Sequence, residues 1–251
     1  MSQAIDIELP PLYGKQHRAL YNAARYSVVE GSTKCGKTHG CLVWQIGEVF
    51  AKQGDHWWVA PVHPQAKIAF ARAKRYIPRG LYTANDSEQC IRIAHPGMPG
   101  EVWSTWWFKS GEKPDNLYGE DVHSAVIDEA SRIREASWHA VRSTLTATRG
   151  PLRLIGNVKG RGSWFYRMAR KAQQGADGYS YHKITAYDAV DAGVLDAREI
   201  EDAKQALPAH VFKELFLAEP ADDAGNPVGL AHSDLPLIHI SEPTRPRLTS
   251  H

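Results

Sequence analysis

Apolar positions along the chain switch repeatedly between two rhythms. Short runs rich in β-branched and aromatic residues, most of them closed by Gly or Pro, alternate with longer stretches in which apolar side chains recur three or four positions apart. Residues 26–30 are the first run and stop at Gly31; across residues 38–51, Cys41, Leu42, Gln45, Ile46, Val49 and Phe50 then fall near helical spacing. Residues 56–60 predict the next strand, closed by Pro61, and residues 64–76 the next helix. Residues 90–94 and 102–108 alternate around a Pro/Gly-rich segment, which predicts a hairpin with a long loop. Strands are expected at 122–127 and 152–155, with helices at 135–145 and 164–172. A strand at 179–185 and two amphipathic helices at 196–207 and 209–217 complete the regular part. Strand–helix alternation predicts a parallel sheet covered on both faces, with functional groups at the C-terminal strand ends. No internal repeat of solenoid or propeller length is visible.

Composition narrows this little: 251 residues, 43% apolar and 23% charged, describe a globular chain and exclude disorder, collagen and disulfide scaffolds. No apolar stretch is long enough to cross a bilayer and the N-terminus lacks a secretory pattern, so a cytoplasmic protein is expected. Cys35, Cys41 and Cys90 form no CxxC pair, which fits a reducing compartment and offers no zinc-ligand spacing. The net charge of +2 conceals an asymmetry: all ten cations of residues 126–180 lie between Arg132 and Lys171, with Glu135 the one acid among them. Residues 181–231 reverse the sign, with 4 Lys/Arg against 10 Asp/Glu. A basic block of this kind is either a solvated helix face or a surface that meets phosphates.

Candidate chemistry decides more. Gly31, Ser32, Thr33, Lys34, Cys35, Gly36, Lys37 and Thr38 match GxxxxGK[ST] in full, between a predicted strand and a predicted helix. Such a loop curls so that backbone N–H groups and the helix N-terminus face phosphates. Lys37 is expected to bind β- and γ-phosphate oxygens of ATP, and the Thr38 hydroxyl to coordinate Mg²⁺. Asp128 and Glu129 end the apolar run 122–127. Asp128 is expected to hold the metal and Glu129 to act as general base on the attacking water, a pairing that points to hydrolysis. The wide separation of the two motifs favours a fold with another strand between the P-loop strand and the acid strand. The expected class is therefore α/β: a P-loop NTPase with a central, mostly parallel sheet flanked by helices, of ASCE type with an inserted β-hairpin.

Several stretches taken in order resemble one family: Gln16 ahead of the P-loop, residues 57–66, residues 114–119 shortly before 126–130, residues 154–160 followed by 164–166, and residues 212–219. Over roughly residues 10–229 the chain resembles the ATPase domain of the large terminase subunit, the DNA-packaging motor of tailed bacteriophages. The resemblance implies that Gln16 contacts adenine and that Asn157 lies in the coupling motif that senses the γ-phosphate. It implies double-stranded DNA, the portal protein and the small terminase subunit as partners, a homo-oligomeric ring when packaging, no membrane, and the infected host cytoplasm as location. Two positions depart from the family pattern: Lys34 stands where an arginine is common in the P-loop, and Val158 where the coupling motif usually has proline. A ring motor also implies an arginine finger from a neighbouring subunit, for which Arg72, Arg75, Arg142 and Arg149 are all candidates. A DNA-dependent helicase or remodelling ATPase is the alternative, and a nucleotide switch a more distant one.

Two further expectations concern Cys35 and the C-terminus. A thiol in a phosphate loop beside a helix N-terminus should ionise readily, so that alkylation would block nucleotide binding. Residues 1–230 are expected to form the ATPase domain. Large terminases also resemble a nuclease in their second half, for which no room remains after Gly229. Residues 237–250 look like translated sequencing-adaptor read-through, so 231–251 are expected to be a non-native or truncated, poorly ordered tail.

Overall fold

The computed structural model describes residues 7–220; the tail 231–251 lies outside them. In chain order the helices and strands are α1 (Gly14–Leu20), β1 (Tyr26–Gly31), α2 (Lys37–Ala51), β2 (Gly54–Ala60), α3 (His63–Tyr76), β3 (Tyr82–Asn85), β4 (Cys90–Ala94), β5 (Val102–Ser110), β6 (Val122–Ile127), α4 (Glu135–Thr144), β7 (Leu152–Gly156), α5 (Trp164–Gln173), β8 (Tyr179–Ile184), α6 (Ala186–Asp191), α7 (Ala197–Ala206) and α8 (Ala209–Leu217). All predicted elements are present within two residues at either end. Three additional ones carry weak apolar signals. Helix α1 is mostly polar, β3 is short, and α6 spans six residues set by a capping box in which Thr185 and Asp188 bond each other's backbone N–H.

The strands form one sheet in the order β3-β4-β5-β2-β6-β7-β1-β8. Pairings from β5 through β8 are all parallel, and β3-β4 and β4-β5 are antiparallel. The expected hairpin is thus an extension of one sheet edge. The strand between the P-loop strand β1 and the acid strand β6 is β7, which follows both in sequence. This arrangement brings the C-terminal ends of β1, β7 and β6 side by side.

Both faces of the sheet are covered, because residues on successive strand positions enter opposite layers. Val29, Trp58 and Ile155 pack with Leu42, Ile46 and Phe70 of α2 and α3. Val28, Trp57 and Leu154 pack with Val141, Phe165 and Ala169 of α4 and α5. Ala186, Ile200 and Phe212 close a smaller cluster among α6, α7 and α8.

At the base of the sheet, where the parallel strands begin, His56 is fully buried. Its Nδ1 lies 2.7 Å from Ser124 Oγ and its Nε2 2.9 Å from the Lys52 carbonyl, which fixes Nε2–H as donor and Nδ1 as acceptor from the hydroxyl. Burial pushes its pKa down to about 4. A depressed histidine pKa means that the unfolded chain takes up a proton the folded chain refuses. Stability is therefore full above pH 6.5 and is lost as pH falls toward 4. Between pH 7 and pH 5 this amounts to about 2 kcal/mol. Urea titrations of the native protein and of His56→Gln should show this as an acid-dependent loss in the first that is absent from the second; parallel pH profiles would contradict it.

Candidate active site

Strand β1 is buried along its length and delivers Gly31 to the loop. Two loop residues, Lys34 and Gly36, take left-handed backbone conformations (φ 58° and 77°), which lets the chain reverse around a hollow before α2 begins at Lys37. The loop is anchored from two directions. Ser32 N–H donates to the Ile184 carbonyl at 2.8 Å and Thr33 N–H to the Leu215 carbonyl at 2.6 Å, so these two amides are taken up by β8 and α8.

The four residues expected to carry the chemistry meet across the sheet. Lys37 is buried, donates to the Ser32 carbonyl at 3.2 Å and lies 3.5 Å from Glu129 Oε1. Thr38 Oγ1 donates to Asp128 Oδ1 at 3.4 Å. Asp128 follows β6, donates its own N–H to the Val59 carbonyl, and accepts from Glu129 N–H at 3.0 Å. Glu129 takes a left-handed conformation (φ 49°), turning the chain just past the strand end. Burial, then the adjacent Glu129, push the Asp128 pKa up to about 7, while Lys37 and the hydrogen bonds hold it down. A buried carboxylate that resists ionising, beside a hydroxyl, is a pair of hard oxygen donors that a small divalent cation fits.

Gln16 lies on α1 behind the loop and is buried. Its Nε2 donates to the Gly36 carbonyl at 3.0 Å and to the Cys35 carbonyl at 3.4 Å, and its Oε1 accepts from Tyr13 N–H at 3.2 Å. Tyr13 Oη donates to the Cys35 carbonyl at 2.6 Å. In this arrangement Gln16 braces the outside of the P-loop. Tyr13 is a residue that sequence reasoning missed; its place three residues before Gln16 is the one local signal for it.

Asn157 follows β7, between the P-loop and acid strands; its Oδ1 is buried and accepts no hydrogen bond among the described residues. A side chain on the preceding Gly156 would come within 3.1 Å of Ala130 N and 3.2 Å of Ser131 N, so the turn after Glu129 rests directly on the end of β7.

The expectation for Cys35 is corrected. The thiol is fully buried, and desolvation raises its pKa despite the nearby Lys37. A helix N-terminus favours a thiolate only where solvent or a fixed cation compensates the charge, and here burial is the larger effect. Lys34, by contrast, is exposed and lines a cavity of about 560 Å³ between the loop tip and α7–α8.

No family model matches the chain. It is 30% identical over 147 residues to the terminase large subunit of Thermus virus P23-45, a match covering 52% of this chain and 30% of that protein. The ATPase domain of the Thermus phage P74-26 large terminase superposes with a TM-score of 0.74 at 21% identity, covering 83% of this chain and 94% of that domain. Over its described residues the chain shares the fold of phage large-terminase ATPase domains. The large terminase of thermophilic bacteriophage D6E in complex with ADP also shares the fold, with a TM-score of 0.69 at 14% identity over 83% of this chain and 53% of that one. The match spans under a third of that curated relative, and among the described residues no helix is long and apolar enough to cross a membrane.

A second buried cluster sits at the root of the P-loop. Glu30, next to Gly31, is buried and accepts from Tyr181 Oη at 2.6 Å and from the Arg170 guanidinium. Arg170 lies over the rings of Tyr166 and Tyr181, so α5, the helix that follows Asn157, is tied to the strand that carries the loop. An acid before a P-loop glycine gives no indication in the sequence that it will be paired, because its partners lie about 140 residues downstream.

Proposed function

We propose that this chain is the Mg²⁺-dependent, ATP-hydrolysing motor domain of a phage large terminase, which drives double-stranded DNA into the capsid. The observation that carries the reading is the convergence of Lys37 with Glu129 and of Thr38 with Asp128, pairs about 90 residues apart in sequence. The P-loop amides and Lys37 bind and orient the triphosphate, Glu129 takes a proton from the attacking water, and Asn157 stands beside the reacting phosphate. Gln16, held against the outer side of the loop, is the residue that the family likeness assigns to adenine. Thr38 and Asp128 would hold Mg²⁺, which neutralises phosphate charge when bound. Most of the acceleration then comes from positioning and charge compensation in a site assembled before substrate arrives. A homo-oligomeric ring on the portal, with the small subunit and duplex DNA as partners, completes the proposal.

The test is ATP turnover of the full chain with and without duplex DNA across a salt series. Stimulation that fades as salt rises supports a DNA-translocating motor. Turnover with no response to DNA at any salt would overturn that role while leaving the ATPase assignment standing.

A further inference from the structure

The ten cations of the basic block do not share one surface. Arg142, Arg149, Arg153 and Lys171 gather at the base of the sheet, at the starts of β1, β7 and β8. That is the end opposite the P-loop, about 17 Å away along β1 at 3.3 Å per residue.

There Arg25, Lys52, Arg149 and Arg153 line a cavity of about 410 Å³ together with Asn22 and Glu48. Arg153 is 3% exposed, donates to the Leu20 and Ala24 carbonyls, and lies 4.4 Å from the centre of the Trp44 ring. Arg25 is fixed by the Gly150 and Leu145 carbonyls. The positive surface continues outward over two stacked rings, Tyr26 and Tyr179, whose centroids are 4.8 Å apart. Arg25 and Arg142 lie over Tyr26, at 5.0 and 5.4 Å, and Lys171 over Tyr179, at 5.1 Å.

Some surface cations elsewhere have carboxylate partners: Lys74 with Asp86, Arg92 with Glu88, Arg198 with Asp196. Among the described residues Arg25, Arg142, Arg149 and Lys171 have none. The acids close by are Glu48, which pairs with Lys52, and Asp177 in the turn before β8. Arg149 also holds a left-handed conformation (φ 55°), a cost of about 1 kcal/mol for a residue with a side chain. Guanidinium groups fixed by carbonyls, with no anion of their own, suit a repeating phosphate more than a compact ligand.

We propose that this basal ridge, Lys52–Arg149–Arg25–Arg142–Lys171, with the buried Arg153 bracing it from beneath, is where the domain contacts the phosphodiester backbone of duplex DNA. The inference rests on the motor reading above and adds the surface that DNA follows, on the face away from ATP. Contact at the base also gives hydrolysis a mechanical path, because β1 and β7 run directly from the ridge to the P-loop and to Asn157.

The test is fluorescence anisotropy of a 30-base-pair duplex titrated with the full chain at several salt concentrations. Two triple variants are compared with the native protein: Arg142→Gln/Arg149→Gln/Lys171→Gln on the ridge, and Lys74→Gln/Arg92→Gln/Arg198→Gln elsewhere. Each removes the same charge. The ridge variant should bind at least tenfold more weakly, with the slope of log affinity against log salt reduced by about 0.9 for each phosphate no longer neutralised; the control should not. Melting temperature and far-UV circular dichroism establish that both fold, and Lys171→Gln alone carries the slope test if the triple variant does not. Native-like binding by the ridge variant, or equal weakening in the control, overturns the ridge and leaves the motor reading intact. A native protein that hydrolyses ATP but binds no duplex overturns both. Displacement of DNA by polyglutamate at equal charge concentration would make an acidic protein surface the better occupant and also overturn the assignment.

Discussion

Glu129→Gln is expected to lower ATP turnover by roughly a hundredfold to ten-thousandfold, the range for loss of a positioned general base, while ATP binding is kept. The reason lies in what Glu129 touches before substrate arrives. Its Oε1 sits 3.5 Å from Lys37 Nζ, so the proposed general base and the proposed phosphate-binding lysine hold each other in the resting site. Glutamine preserves the shape but cannot take a proton, and it releases Lys37 from a charged partner. Nucleotide affinity should therefore be equal or a few-fold tighter. Phosphate release measured alongside titration of a fluorescent ATP analogue separates the two effects. Undiminished turnover would remove the general-base assignment.

Lys37→Ala should behave differently, losing binding and turnover together. A charge-assisted hydrogen bond contributes about 1.5–3 kcal/mol, so ATP affinity should fall by about ten- to a hundredfold. Turnover at saturating ATP should fall at least as far, because the same ammonium compensates charge in the transition state. Lys37 also restrains the Asp128 carboxyl, whose pKa stands at about 7 under the opposing pulls of burial and its neighbours. Without the lysine Asp128 should ionise still less readily, weakening the proposed metal site as well. Isothermal titration with ATP, with and without Mg²⁺, reads this directly: a variant that binds as tightly as the native protein would show that the lysine is not a phosphate ligand. Together the two substitutions discriminate the roles, since one spares binding and the other does not.

Much of the candidate site is legible along the chain because its motifs are local. The P-loop requires glycines at fixed spacing, and Asp128–Glu129 requires only an apolar run ending in two acids. Side-chain partnerships across the fold are not legible in this way. Gln16 can be singled out, but that its amide is spent on the Cys35 and Gly36 carbonyls depends on where α1 lies against the loop. Cys35 has the local surroundings of a reactive thiol, yet the packing around it raises its pKa.

Strand–helix alternation, the phosphate loop and the acid pair are written into the chain itself, because hydrophobic period and backbone conformation are short-range properties. So is the concentration of cations between Arg132 and Lys171. That a strand separates β1 from β6 is expected from the spacing of the two motifs, but that it is β7, which follows both in sequence, is decided by folding, since strand order depends on long crossovers that leave no mark on local periodicity. The same packing divides the basic block, carrying Arg142, Arg149, Arg153 and Lys171 to the base of the sheet. A side chain's direction is fixed by its own element, but its company is fixed by which elements that element meets.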